Sequence, residues 1–130
     1  MGPLEDDDTA EITPEEGAAG LRAALRLLEH WQATPAQVQA LLGAPDAETV
    51  EAWRQDDLGA GLPPETVLRL GILLGIHRGT RALFSDPVRG HAWMRTPSAL
   101  FDGQSALERM AQGSIEDLIA VLGYLTAEAQ

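Results

Sequence analysis

Along most of the chain, apolar residues recur every three or four positions, a spacing that predicts helices. The first firm start is Thr13-Pro14-Glu15-Glu16: a capping side chain, a proline at the first helical position, and a glutamate two residues on. Leu21, Leu25, Leu28 and Trp31 then share one face. Thr34-Pro35-Ala36-Gln37 repeats that start, with Val38, Leu41 and Leu42 as the apolar face and Gly43 as the left-handed stop. Asp46 caps a third short helix running through Arg54, with Val50 and Trp53 turned inward. Helix, short turn, helix, turn, helix is the order of a helix-turn-helix unit.

The stretch QDDLGAGLPP from Gln55 to Pro64 reads as a linker. From Pro64 to about Phe84 follows the most apolar helix. Val67, Leu70, Leu74, His77 and Arg81 lie on one stripe, and Leu68, Ile72, Leu73 and Ile76 lie on others. A helix apolar on several faces is buried on several sides. Leu70, Leu73, Leu74 and Ile76 therefore mark either a central core helix or one partly covered by a second chain, and both readings stay open. Asp86-Pro87 opens the next helix, and Thr96-Pro97 stops it because the residue before proline leaves the α region. Ser105-Ala-Leu-Glu108 is a capping box, with Gly113 ending its helix. Ser114-Ile-Glu-Asp117 caps a last helix whose apolar positions are Ile115, Leu118, Ile119, Leu122 and Leu125, with Tyr124 beside them. Strand-like runs of β-branched residues are nearly absent. The expectation is an all-α protein: an acidic tail at 1–12, a helix-turn-helix head at 13–55, a linker at 56–63 and a small helical bundle at 64–130.

Charge changes this picture most. Residues 1–61 hold 3 Arg against 13 Asp and Glu, whereas residues 62–130 hold 6 Arg against 7, and there is no lysine. Glu5, Asp6, Asp7, Asp8 and Glu11 make the tail a repelling, solvated run. A net charge of −11 opposes non-specific binding to nucleic acid. With no cysteine, a disulfide framework and a Cys-based zinc site are excluded. No apolar run approaches bilayer length and the acidic N-terminus is not a signal peptide, so the expected compartment is the cytoplasm.

Catalytic chemistry finds little support. His30, His77 and His91 fall on three separate elements without metal-ligand spacing. Ser105 lacks the second glycine of a nucleophile elbow, and helix capping explains it. Glu108, Glu116 and Asp117 sit in first helical turns, where the helix dipole favours carboxylates. No glycine-rich loop links a strand to a helix, so no phosphate cradle, cofactor or metal is expected. The aromatic residues offer more. Trp93 reads as core, while Phe101 and Tyr124 read equally as core or as anchors of a binding surface. Arg95 and Arg109 flank the same segment and suit carboxylates of a partner.

Leu73 to Leu125 resembles the toxin-binding C-terminal domain of Xre/MbcA/ParS-type antitoxins. The resemblance rests on Leu74-Gly75-Ile76, Leu83-Phe84-Ser85-Asp86-Pro87, Trp93 to Pro97, Phe101-Asp102-Gly103, Ser105 to Met110 and Gly113 to Leu118. It implies a non-enzymatic antitoxin of a type II pair. Such a protein covers the active-site mouth of a RES-domain toxin that consumes NAD⁺ or transfers ADP-ribose, and the complex represses its own operon. Toxin contacts are then expected from Trp93, Arg95, Phe101, Arg109, Tyr124 and Leu125, in a complex containing a homodimer. The alternative is a dimeric helix-turn-helix repressor whose C-terminal domain serves dimerisation. Two departures stand out. The third helix, usually Arg-rich in relatives, carries Asp46, Glu48 and Glu51, followed by Asp56 and Asp57, against Arg54 alone. Thr49, Arg54 and Gln55 remain as residues that could read an operator, and weak or absent DNA binding is expected of this chain alone. After Tyr124-Leu125 the chain ends TAEAQ, without the aromatic and arginine that often close relatives.

Overall fold

The computed structural model describes residues 14–128. The expected acidic tail and the Thr13 cap lie outside them. The order is α1 (Pro14–His30), α2 (Pro35–Leu42), α3 (Ala47–Arg54), α4 (Pro64–Leu83), α5 (Pro87–Arg95), a 3-10 turn (Ala99–Phe101), α6 (Ala106–Met110) and α7 (Ile115–Glu128). No strand occurs among the described residues. The all-α expectation holds.

The helix starts follow from local chemistry. Thr34 and Gln37 form a complete capping box, as do Ser105 and Glu108. Asp46 accepts from the Thr49 amide, and Asp86 from that of Val88. Gly43 takes φ +71° at the end of α2, a conformation that a Cβ would strain. The α6 helix is shorter than its sequence suggests, stopping at Met110 with Ala111 as its C-cap. Gly113, at φ +99°, belongs to the turn beyond.

α4 is the axis of the molecule, packing against α1, α2, α5 and α7. That explains its several apolar faces: Leu70, Leu73 and Ile76 are buried, and Leu74 is half-buried. The helix needs no second chain to cover these positions. One continuous core runs from Leu21, Leu28 and Trp31 of α1 through α4 to Leu118, Val121 and Leu125 of α7. Polar ties join the head to the rest as well. The Thr66 hydroxyl donates to the Leu42 carbonyl at 2.9 Å. Arg69, only 4% exposed, pairs with Glu65 and donates to the carbonyls of Ala40 and Gly113, at 3.0 and 2.6 Å. The linker at 56–63 therefore separates the halves in sequence but not in packing.

Candidate partner-binding surface

Four aromatic side chains from four places in the second half meet in one cluster. Trp93 of α5 is its hub. It stacks on Tyr124 of α7 with ring centroids 6.0 Å apart and planes within 8°. Its edge-on partner is Phe101, at 6.3 Å and 71°, and Phe84 tilts against it at 6.3 Å. Phe101 also meets Tyr124 edge-on at 6.3 Å. Edge-to-face and offset contacts suit the ring quadrupoles, each worth about 0.5–1.5 kcal/mol beyond burial.

Backbone chemistry sets each ring in place. Phe84 ends α4, its amide donating to the Thr80 carbonyl at 2.8 Å. Gly90 of α5 is buried against the end of α4, where a Cβ would make ordinary contact with Thr80 and Phe84. Between α5 and α6 the chain closes on itself. The Ser98 side chain caps the 3-10 turn, the Ser98 amide donates to Gln104, and the Gly103 amide donates back to Ser98. Asp102 adopts the left-handed conformation at φ +57° that this closure requires.

The result has a floor and a face. Phe101 is buried and forms the floor, so of its two readings the structure selects core. Trp93, Phe84 and Tyr124 are half-buried. The elbow between α5 and α6 carries Leu100, 53% exposed, and the first turn of α5 carries Val88, 70% exposed. A shallow cleft of about 460 Å³ runs along the elbow, lined by Pro97, Ser98, Ala99, Asp102 and Gly103. Part-exposed Trp and Tyr side chains are common anchors of protein interfaces.

Several expected contact residues fall elsewhere. Leu125 is fully buried and cannot reach a partner: it shares a face of α7 with Leu118 and Val121, and a Cβ on Gly79 would lie 3.0 Å from its own. Arg109 donates through Nε to Asp117 at 2.7 Å. Arg95 donates through Nη1 to the carbonyls of His30 and His91. Both arginines brace the segment from within the chain. In the head, the Thr49 hydroxyl is held by Asp46 at 2.7 Å, and the Gln55 amide by Glu51 at 3.0 Å. Arg54 has no partner of that kind among the described residues. Instead it joins Arg22, Arg26, Leu25 and Glu29 around a shallow depression of about 230 Å³. All three arginines of residues 1–61 thus gather at one place, a grouping the linear spacing does not reveal.

No group of three or more His, Cys, Asp or Glu residues among the described residues could hold a metal ion, and no helix is long and apolar enough to cross a membrane. Fold and surface together define an all-helical protein whose most developed feature is a part-exposed aromatic cluster. Residues 80–130 match the Xre/MbcA/ParS antitoxin C-terminal toxin-binding domain. Over 127 residues the chain is 35% identical to the uncharacterized protein y4oB of Sinorhizobium fredii (strain NBRC 101917 / NGR234), an alignment covering 98% of this chain and 93% of that one. The chain belongs to the Xre/MbcA/ParS antitoxin family, and the matched segment contains the whole aromatic cluster.

Proposed function

We propose that this protein is the antitoxin of a type II pair and that its partner is a RES-domain toxin consuming NAD⁺ or transferring ADP-ribose. It neutralises the toxin in the cytoplasm by occluding the active-site mouth, with no chemistry of its own. The observation that carries this reading is the stacked, half-exposed Trp93–Tyr124 pair inside the family's toxin-binding segment. Rigid aromatic anchors give contact area at little entropic cost, and the closed elbow holds them in place before any partner arrives.

Homodimerisation in the complex is part of the proposal. Leu68 of α4 and Ile119 of α7 remain about half exposed and are available for it. So is operon autorepression by a helix-turn-helix head. There Arg54 is the operator-facing candidate whose side chain stays uncommitted, and the carboxylates of α3 keep DNA binding by the free protein weak.

Co-expression with the product of the adjacent gene tests the central part. The expected outcome is a complex that survives purification, in which the partner no longer depletes NAD⁺. A partner that remains active in the presence of excess antitoxin would refute it.

A further inference from the structure

The chain's three histidines lie far apart in sequence, and the fold stacks them. His30, the last residue of α1, lies on His91 of α5 with ring centroids 4.9 Å apart and planes within 5°. His91 faces His77 of α4 at 6.3 Å and 8°. Three imidazoles from three helices thus form one column where the head meets the C-terminal helices. Nδ1 of His77 and Nδ1 of His91 are buried, with no hydrogen-bond partner among the described residues.

The charged groups acting on the column are cationic. Arg78 and Arg81 of α4 act on His77, and Arg81 and Arg95 act on His91, while α1 contributes His30 itself. No carboxylate pairs with any of the three rings among the described residues. Glu29, the neighbouring acid on α1, lines the depression beside Arg26 and Arg54 instead. In a protein of net charge −11, such a carboxylate-free cluster is conspicuous. Arg95 ties the same place together through the backbone, donating to His30 at 3.2 Å and His91 at 3.3 Å.

Neutral imidazoles stack without repulsion. Protonated ones at this spacing repel each other and the arginines, and the buried edges offer no compensating acceptor. We propose that the His30–His91–His77 column is an acid-sensitive clasp that holds the end of α1 against α4 and α5 and releases it as the rings take up protons. Burial first, then the arginines and the neighbouring rings, hold His77 and His91 below the ordinary histidine value of 6.5. The opened state therefore binds more protons than the closed one. The clasp is fully stable above about pH 6.5 and weakens as pH falls from there through the lowered values. The carboxylates that the fold perturbs, Asp46 and Glu116, are shifted downward, so they stay ionised across this window.

The clasp depends on packing alone and stands or falls independently of the toxin reading. Hydrogen exchange on the full chain tests it, comparing pH 7.5 with pH 5.5 after correction for intrinsic rates. Amides from Leu27 to Ala33 should lose protection several-fold at the lower pH, because the opened state takes up protons that the closed column excludes. The double variant His77→Phe, His91→Phe keeps flat rings without a titrating proton and should show no such change. An equal loss in the variant, or none in the native chain, overturns the proposal. A loss spread evenly over all helices also overturns it, because that is global unfolding. Should the variant fail to fold, proton NMR titration of the native chain decides: His77 and His91 must titrate below 6.5, and values at or above it sink the clasp.

Discussion

At the residue scale, Arg69 does more than its sequence position suggests. With Glu65 four residues earlier it looks like an ordinary surface pair on a helix. Only the fold shows that its guanidinium is buried and that two of its nitrogens serve carbonyls of the head and of the turn before α7. Replacing it with Met should lower the unfolding free energy by about 1–3 kcal/mol, since the part-buried carbonyls of Ala40 and Gly113 lose its hydrogen bonds. Gly43→Ala should act on the same spot, costing about 1–2 kcal/mol, because its Cβ would lie 2.8 Å from Arg69 Nε at a positive φ. Urea denaturation checks both, and a variant as stable as the native chain would contradict the account. Leu125 teaches the converse lesson. Tyr124 and Leu125 are adjacent on a helix with apolar residues on more than one face, and spacing alone does not say which turns inward. The close approach at Gly79 decides it.

Helix starts were legible at the element scale because their chemistry is local. Thr34, Asp46, Asp86 and Ser105 all cap where the residues around them say they should. Ser105→Ala should therefore cost about 1 kcal/mol in a thermal or urea melt, and Glu108→Gln should cost less because glutamine can still complete the box. A silent Ser105→Ala would mean that the elbow, not the cap, sets this helix. What local chemistry does not supply is how elements meet. The histidine column, the gathering of Arg22, Arg26 and Arg54, and the burial of Phe101 all depend on helices distant in sequence. Phe101 sits beside Asp102-Gly103, in a loop, where burial is hard to arrange. A left-handed Asp102 turns the chain so that it can be buried.

The sequence read as a whole suggests two parts joined by a Gly- and Pro-rich linker, whereas the packing makes one body. Thr66, Arg69, Leu70 and Leu73 of α4 are all buried, with Thr66 and Arg69 bonded directly to the head. A fragment of residues 64–130 should thus lose much of its cover and melt well below the full chain by circular dichroism. A cooperative melt at the full chain's temperature would contradict the shared core. The aromatic face lies far along the chain from the acidic head, and occluding a toxin mouth requires that face to be exposed and rigid at once. The measurement that tests the proposed function most directly is inhibition of the proposed partner's NAD⁺ consumption by the purified protein, native against the Trp93→Ala, Tyr124→Ala double variant. The account predicts that the double variant stays folded and loses inhibition by at least about a hundredfold, in keeping with two hot-spot residues. A folded double variant that inhibits as well as the native chain would show that the toxin is held by some other surface.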